Sequence, residues 1–253
     1  MLKPRRKILV YTHALTGGGA ERVCAVLASG FAERGNEVIL AVDFAATENM
    51  HLIDPAVRVV VLGASHFLAV LRLALLLFRE KPDAALSGLS ISNLKLFLAS
   101  ALSGRLPRMA ASYHGYSLSE PQFLSRVSYA LTPFITRLAG ATVAVSEGLR
   151  SSIVSRWGAS AARTQVIYNP VVTGRSHAAG TEAELLGRAP VVLAAGRLVS
   201  YKNFPLLVRA FGQVGVPDAR LTILGQGPER SRIQDEIDRL GLGGRVELAG
   251  YTD

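Results

Sequence analysis

Residues 7–23 read KILVYTHALTGGGAERV, and their reading decides the fold. Lys7–Thr12 is a short apolar run with β-branched and aromatic residues, which predicts a strand. The glycines Gly17, Gly18 and Gly19 follow, and from Ala20 to Arg34 the residues Val23, Val26, Leu27 and Phe31 share one helical face. A strand that ends in a loop without side chains and passes at once into a helix opens a parallel α/β layer. Glycines at such a junction let a ligand approach the backbone, where free N–H groups and the positive end of the helix dipole favour an anion. Tight packing of helix on sheet would need the same glycines. The loop is not the dinucleotide pattern, because Arg22 stands where its third glycine belongs, and the chain has no G-x-x-x-x-G-K-[ST] phosphate loop.

Outward from this stretch the alternation repeats. Strand-like runs lie at Glu37–Val42, Val57–Leu62, Ala84–Ser87, Arg108–Tyr113, Ala141–Val145 and Thr164–Tyr168, mostly separated by segments of helical period. Continuous apolar strands between helices predict a doubly wound parallel sheet covered on both faces. Asn169–Ala189 breaks the pattern, opening on an Asn-Pro turn signal. Alternation then resumes with strands at Pro190–Ala195, Ala219–Leu224 and Arg245–Ala249 and helices at Asn203–Val214 and Glu229–Leu240. The expected division is an N-terminal Rossmann-like domain over 1–170, a linker over 171–189, and a partial second domain over 190–253. Three strands and two helices make about half of an ordinary α/β domain.

Composition limits the function. Of 253 residues 49% are hydrophobic and 19% charged, which suits a globular core and not a disordered chain. One cysteine, Cys24, excludes a disulfide framework and is read as a buried structural thiol; the five scattered histidines argue for no metal. The formal charge of +9 is uneven: 19 Lys or Arg face 10 Asp or Glu through Gly180, and nine of each follow. That excess suits an anionic membrane surface or phosphate, or simply a solvated basic face. Nucleic-acid binding is not expected, since the arginines are dispersed and no binding motif or stacking platform occurs. The longest apolar run, Phe67–Phe78, is interrupted by Arg72 and falls short of the roughly 20 residues that span a bilayer. It reads either as a core helix or as a membrane-docking one. A cytoplasmic protein, peripheral on the membrane face, is expected.

Three further stretches carry polar chemistry. In ASYHGY, His114 closes a strand and so stands at the carboxyl edge of a parallel sheet, where ligands of such folds bind. It is placed to meet a sugar hydroxyl or phosphate, to act catalytically in proton transfer, or to be satisfied locally. In AGRLVSYKN, Arg197 follows a strand and Lys202 precedes a helix. Two cations at a helix start are unfavourable unless an anion such as a diphosphate lies between them. In LGQGPE, Gly225, Gln226 and Gly227 form another strand-to-helix turn, with Pro228 near the helix start.

Taken together, GGGAER, YHG, AVSEGLR, VIYNPV, AAGRLVSYKN and LTILGQGPER resemble, in this order, the GT-B glycosyltransferases of family 4, the group 1 sugar transferases. The resemblance covers nearly the whole chain. It implies two facing Rossmann-like domains and metal-independent transfer, with retention, from a nucleotide-sugar such as a UDP- or GDP-sugar to a lipid-linked or polysaccharide acceptor in envelope glycan synthesis. It places the donor diphosphate at Arg197 and Lys202 and the nucleotide beside Gly225, Gln226 and Gly227. Gly17, Gly18 and Gly19 then line the cleft, and His114 approaches the transferred sugar. Ser146 reads as a helix cap only. The family's Glu–seven residues–Glu pattern has no counterpart here, since no Glu is followed by another eight positions on. The chain is therefore expected to be the front portion of a transferase with weak or no catalysis, or a module that only binds nucleotide, sugar or a partner.

Overall fold

The computed structural model describes residues 4–16, 18–46, 48–63, 65–116, 123–170 and 189–251. The chain divides into two compact units, Met1–Gly174 and Arg175–Asp253. Most of the expected linker, 171–188, and Gly17 of the glycine loop lie outside the described residues.

The first unit is built on seven parallel strands: β1 (Lys7–Thr12), β2 (Glu37–Val42), β3 (Arg58–Val61), β4 (Ala84–Gly88), β5 (Met109–Tyr113), β6 (Ala141–Ala144) and β7 (Thr164–Val166). Their order is β3-β2-β1-β4-β5-β6-β7. The chain reverses direction across the sheet between β1 and β4, which puts the switch point of this doubly wound sheet at their carboxyl ends. Side-chain alternation along β1 feeds two cores. Val10 joins Cys24, Ala25 and Ala28 of α1 (Gly19–Glu33), whereas Leu9 and Tyr11 join the core under α2 (His66–Glu80) and α3 (Ser90–Leu102). The unit is completed by α4 (Phe123–Ala130), α5 (Thr132–Leu138) and α6 (Glu147–Trp157). As expected, the Ser146 hydroxyl caps α6, accepting from the Leu149 N–H at 3.2 Å.

The apolar run 67–78 lies within α2 and divides between a buried and an exposed side. In α2, Ala69, Leu73 and Leu77 recur every four residues and are fully buried. The opposite side leaves Phe67, Leu68, Leu71, Leu75 and Phe78 exposed. Among the described residues, no helix is long and apolar enough to cross a membrane.

The second unit is a three-stranded parallel sheet in the order β10-β9-β8, from β8 (Val191–Ala195), β9 (Arg220–Leu224) and β10 (Val246–Gly250). Helices α7 (Phe204–Gly212) and α8 (Arg230–Arg239) supply Phe204, Val208, Phe211, Ile233 and Ile237 to its core, against Leu221 and Ile223. The edge strand β8 leaves Val191, Val192 and Leu193 exposed.

Candidate functional site

In the first unit the chemistry gathers at the carboxyl edge of the sheet, because β1, β4 and β5 all end there. Gly18 caps α1 and Gly19 begins it. The Glu21 carboxylate folds back over Gly18, so a Cβ on Gly18 would meet its Oε2 at 2.1 Å. A Cβ on Gly19 would meet nothing within 4 Å. A carboxylate over the helix start favours the helix dipole and opposes a second anion there. The Glu21 carboxylate thus occupies the space over Gly18 and leaves that over Gly19 open.

His114 follows the last residue of β5. Its Nε2 lies 2.9 Å from the Ser112 hydroxyl, while its Nδ1 is buried without a hydrogen-bond partner among the described residues. Burial pushes the imidazole pKa down to about 4, so the ring is neutral at pH 7. An unpaired buried ring nitrogen costs about 1–3 kcal/mol. The ring is held from below by buried polar groups. Asn93 donates to the Ser112 carbonyl at 2.9 Å and accepts from the Ser87 hydroxyl at 2.7 Å, tying β4 to β5. Gly88 was not read as a site residue, yet it makes this approach possible: a Cβ there would meet Cys24 Sγ at 3.0 Å and His114 Nε2 at 3.3 Å. The next residue, Leu89, has φ 77° and ψ 151°, a strained conformation for a residue with a side chain, at the start of α3. Cys24 is buried and its thiol is pushed up to about 12, chiefly by desolvation, as befits a structural thiol.

A second cluster at the same edge escaped the sequence reading. Asp43, just past β2, is fully buried and accepts from the Tyr11 hydroxyl at 2.8 Å, from His13 Nδ1 at 2.6 Å and from the buried Lys95 ammonium. Burial alone would raise the Asp43 pKa, but the bonds from His13, Lys95 and Tyr11 outweigh it and hold the carboxyl below its ordinary value. His66, the first residue of α2, stacks on His13 with ring centroids 5.6 Å apart, and Phe44 meets the His13 ring edgewise at 4.9 Å. His13, Asp43 and His66 offer possible metal-ligand atoms within 4.8 Å of one another. The Lys95 ammonium already supplies the cation on Asp43, and a metal ion would have to displace it. A groove on the outer side of α1, between Val26, Leu27 and Gly30 and the pair Tyr168 and Pro170, holds none of the expected site residues.

In the second unit, the turns after β8 and β9 brace one another. The Leu198 N–H donates to the Gln226 carbonyl at 2.8 Å, and the Glu229 N–H to the Leu198 carbonyl at 3.0 Å. Gly225 and Gly227 have φ of 141° and 157°. A Cβ on either would lie 1.9 Å from the Gly196 carbonyl oxygen or 2.3 Å from that of Leu198. Both glycines are therefore required by the contact between the two turns, whatever binds there. Arg197 and Lys202 rise from the braced pair, exposed and without an ion pair or hydrogen bond among the described residues. Lys202 ends a 3-10 turn, Ser200–Lys202, and Asn203 in the left-handed region joins it to α7.

Comparison with known proteins identifies the pattern. Residues 17–175 match the family described as Glycosyltransferase Family 4, and residues 182–253 match that described as Glycosyl transferases group 1. The lipopolysaccharide core biosynthesis glycosyltransferase LpsE of Rhizobium meliloti (strain 1021) is 37% identical over 90 residues, 35% of this chain and 26% of that protein. LpsD of the same organism is 39% identical over 61 residues, 24% of this chain and 17% of its own length. Each match thus spans about a quarter or less of the relative. The crystal structure of Anabaena Alr3699/HepE in complex with UDP-glucose superposes with a TM-score of 0.79 at 19% identity, covering 98% of this chain and 70% of that one. At that identity the likeness is one of fold.

Proposed function

The chain belongs to glycosyltransferase family 4 and has the α/β architecture of GT-B enzymes, and from that premise we propose that it transfers a sugar from a nucleoside-diphosphate donor to a glycan or lipid-linked acceptor of the cell envelope. In this reading the division into a domain over 1–170, a linker over 171–189 and a donor-binding part over 190–253 is retained. Arg197 and Lys202 hold the donor diphosphate, with Gly225, Gln226 and Gly227 beside the nucleotide. Gly18 and Gly19 line the acceptor-side wall, open to substrate at Gly19, and the neutral His114 approaches the transferred sugar. The reaction retains the anomeric configuration and needs no metal. The lipopolysaccharide-core relatives support the envelope acceptor, and the UDP-glucose held by HepE supports a UDP-sugar over a GDP-sugar.

The observation that carries this reading is the pair of exposed, unpartnered cations on mutually braced glycine turns. A diphosphate would suit a guanidinium fork and an ammonium presented by neighbouring turns. Isothermal calorimetry with UDP and GDP tests it: UDP binds, and Arg197→Ala or Lys202→Ala weakens binding at least tenfold. Equal affinity in wild type and both variants overturns the assignment. A second reading is a module that binds nucleotide, sugar or a partner without transferring sugar. UDP binding without transfer from UDP-sugars would select it.

The exposed side of α2 completes the proposal. Phe67, Leu71, Leu75 and Phe78 lie along one side of the helix, and the first unit carries nearly all of the chain's excess of basic residues. An apolar stripe on a basic unit suits docking at the cytoplasmic face of an anionic membrane, where a lipid-linked acceptor would be met.

A further inference from the structure

The cluster around Asp43 calls for a function, because three buried or half-buried donors converge on one carboxylate and only His13 reaches the surface from it. The Asp43 side chain is 0% exposed and that of Lys95 4%, whereas His13 is 33% exposed. With the Asp43 carboxylate as acceptor, His13 Nδ1 carries the proton. Nε2 has no hydrogen-bond partner among the described residues. The ring is also fixed in rotation by Phe44 at its edge and His66 on its face. The result is an imidazole of set tautomer and set direction, at the same sheet edge as the glycine loop and His114.

Two alternatives are less well supported by the same atoms. A metal ion would have to displace the Lys95 ammonium from Asp43, since the two cations would repel each other in a buried site. A purely structural role accounts for Asp43, Lys95 and Tyr11, which neutralise and satisfy one another, but leaves the orientation of a half-exposed histidine without purpose.

We propose that His13 is an acceptor-binding residue of the transferase: its Nε2 accepts a hydrogen bond from a hydroxyl of the acceptor saccharide and so orients it, while Asp43, set by Tyr11 and Lys95, fixes the ring. This rests on the transferase reading, and it deepens that reading by naming a neutral, hydroxyl-bearing sugar as the group received on the β1–β2 side of the first unit. His13 serves here as a hydrogen-bond acceptor; no proton transfer is required of it.

The test uses the full 253-residue chain with labelled histidines at pH 7.5, and core oligosaccharide released from bacterial lipopolysaccharide as the probe. Long-range proton–nitrogen spectra are expected to show His13 protonated on Nδ1 and bare on Nε2. Millimolar oligosaccharide then shifts the His13 ring signals. His13→Asn keeps a donor to Asp43 but removes Nε2, and should weaken oligosaccharide binding about tenfold while leaving UDP affinity unchanged. Asp43→Asn should disturb the His13 tautomer; if that variant fails to fold, His13→Asn alone decides. The proposal is overturned if oligosaccharide perturbs other signals but not those of His13, if His13→Asn binds as well as wild type, or if no oligosaccharide binds. In the last case, retained UDP binding leaves the transferase reading standing, and its loss removes both.

Discussion

Gly225 and Gly196 are in backbone contact so close that a methyl group cannot be placed between them: a Cβ on Gly225 would lie 1.9 Å from the Gly196 carbonyl oxygen. Gly196 immediately precedes Arg197, so this contact fixes the turn from which the guanidinium rises. Gly225→Ala should therefore act twice. It forces a side chain into φ 141°, at a cost of about 1–3 kcal/mol before the clash is added, and it pushes the Arg197 turn away. Urea denaturation should show the second unit destabilised, and calorimetry should show UDP binding lost with it. An unchanged midpoint would mean that the turns are not braced as described.

The buried Lys95–Asp43 pair gives a prediction about partners. Lys95→Met leaves the Asp43 carboxylate buried with one donor fewer, and removing one partner of a buried pair costs about 3–5 kcal/mol. Adding Asp43→Asn removes the stranded charge, so the double variant should be more stable than Lys95→Met alone. In wild type, Asp43 is held below its ordinary value of 3.8. Its contribution is therefore complete above that value and is lost as pH falls below about 4 through the folded-state pKa. Acid titration of the unfolding midpoint checks the sign. A Lys95→Met protein as stable as wild type would count against the pair.

His114 titrates in the opposite sense to an ion-paired histidine. Its folded-state pKa is about 4 against an ordinary 6.5. The unfolded chain thus takes up the proton first, and stability falls as pH drops from about 6.5 to about 4, by roughly 3 kcal/mol across the window. His114→Gln should flatten that part of the stability profile. A wild-type profile that is already flat between pH 6.5 and 4 would show the ring to be solvated.

Flotation with vesicles tests the exposed stripe of α2. The chain should float with vesicles rich in anionic lipid and less with neutral ones, the difference shrinking as salt rises. Phe67→Glu combined with Phe78→Glu should abolish flotation without unfolding, since both side chains are exposed at 71% and 62%. Equal recovery of wild type with both vesicle types argues against docking.

Much of the fold was legible because buried parallel strands are apolar throughout, and the runs at Lys7–Thr12 and Glu37–Val42 coincide with β1 and β2. The run predicted to end at Tyr168 stops at Val166. Ile167 and Tyr168 are apolar but exposed, which composition alone does not reveal. Candidate site residues stood out in the sequence where a residue type is odd for its place, as with His114 at a strand end or Arg197 and Lys202 near a helix start. The Asp43 cluster gave no such signal. His13 and Lys95 lie 30 and 52 residues from Asp43, and only the parallel stacking of β1 beside β2, with α3 laid across, brings them together. Gly88 was hidden for a related reason: it looks like an ordinary end of a strand until Cys24 and His114 are seen on either side.

That last juxtaposition makes Cys24 a natural reporter. It is the only thiol in the chain, it is sealed between α1 and Gly88, and it touches the same small space as the His114 ring. Its reaction with a disulfide reagent has to wait until this corner of the sheet opens, so the labelling rate is a clock for local opening at the carboxyl edge. A ligand seated against His114 would slow that clock, and binding could then be followed without a radiolabel, a coupled enzyme or any added chromophore on the protein.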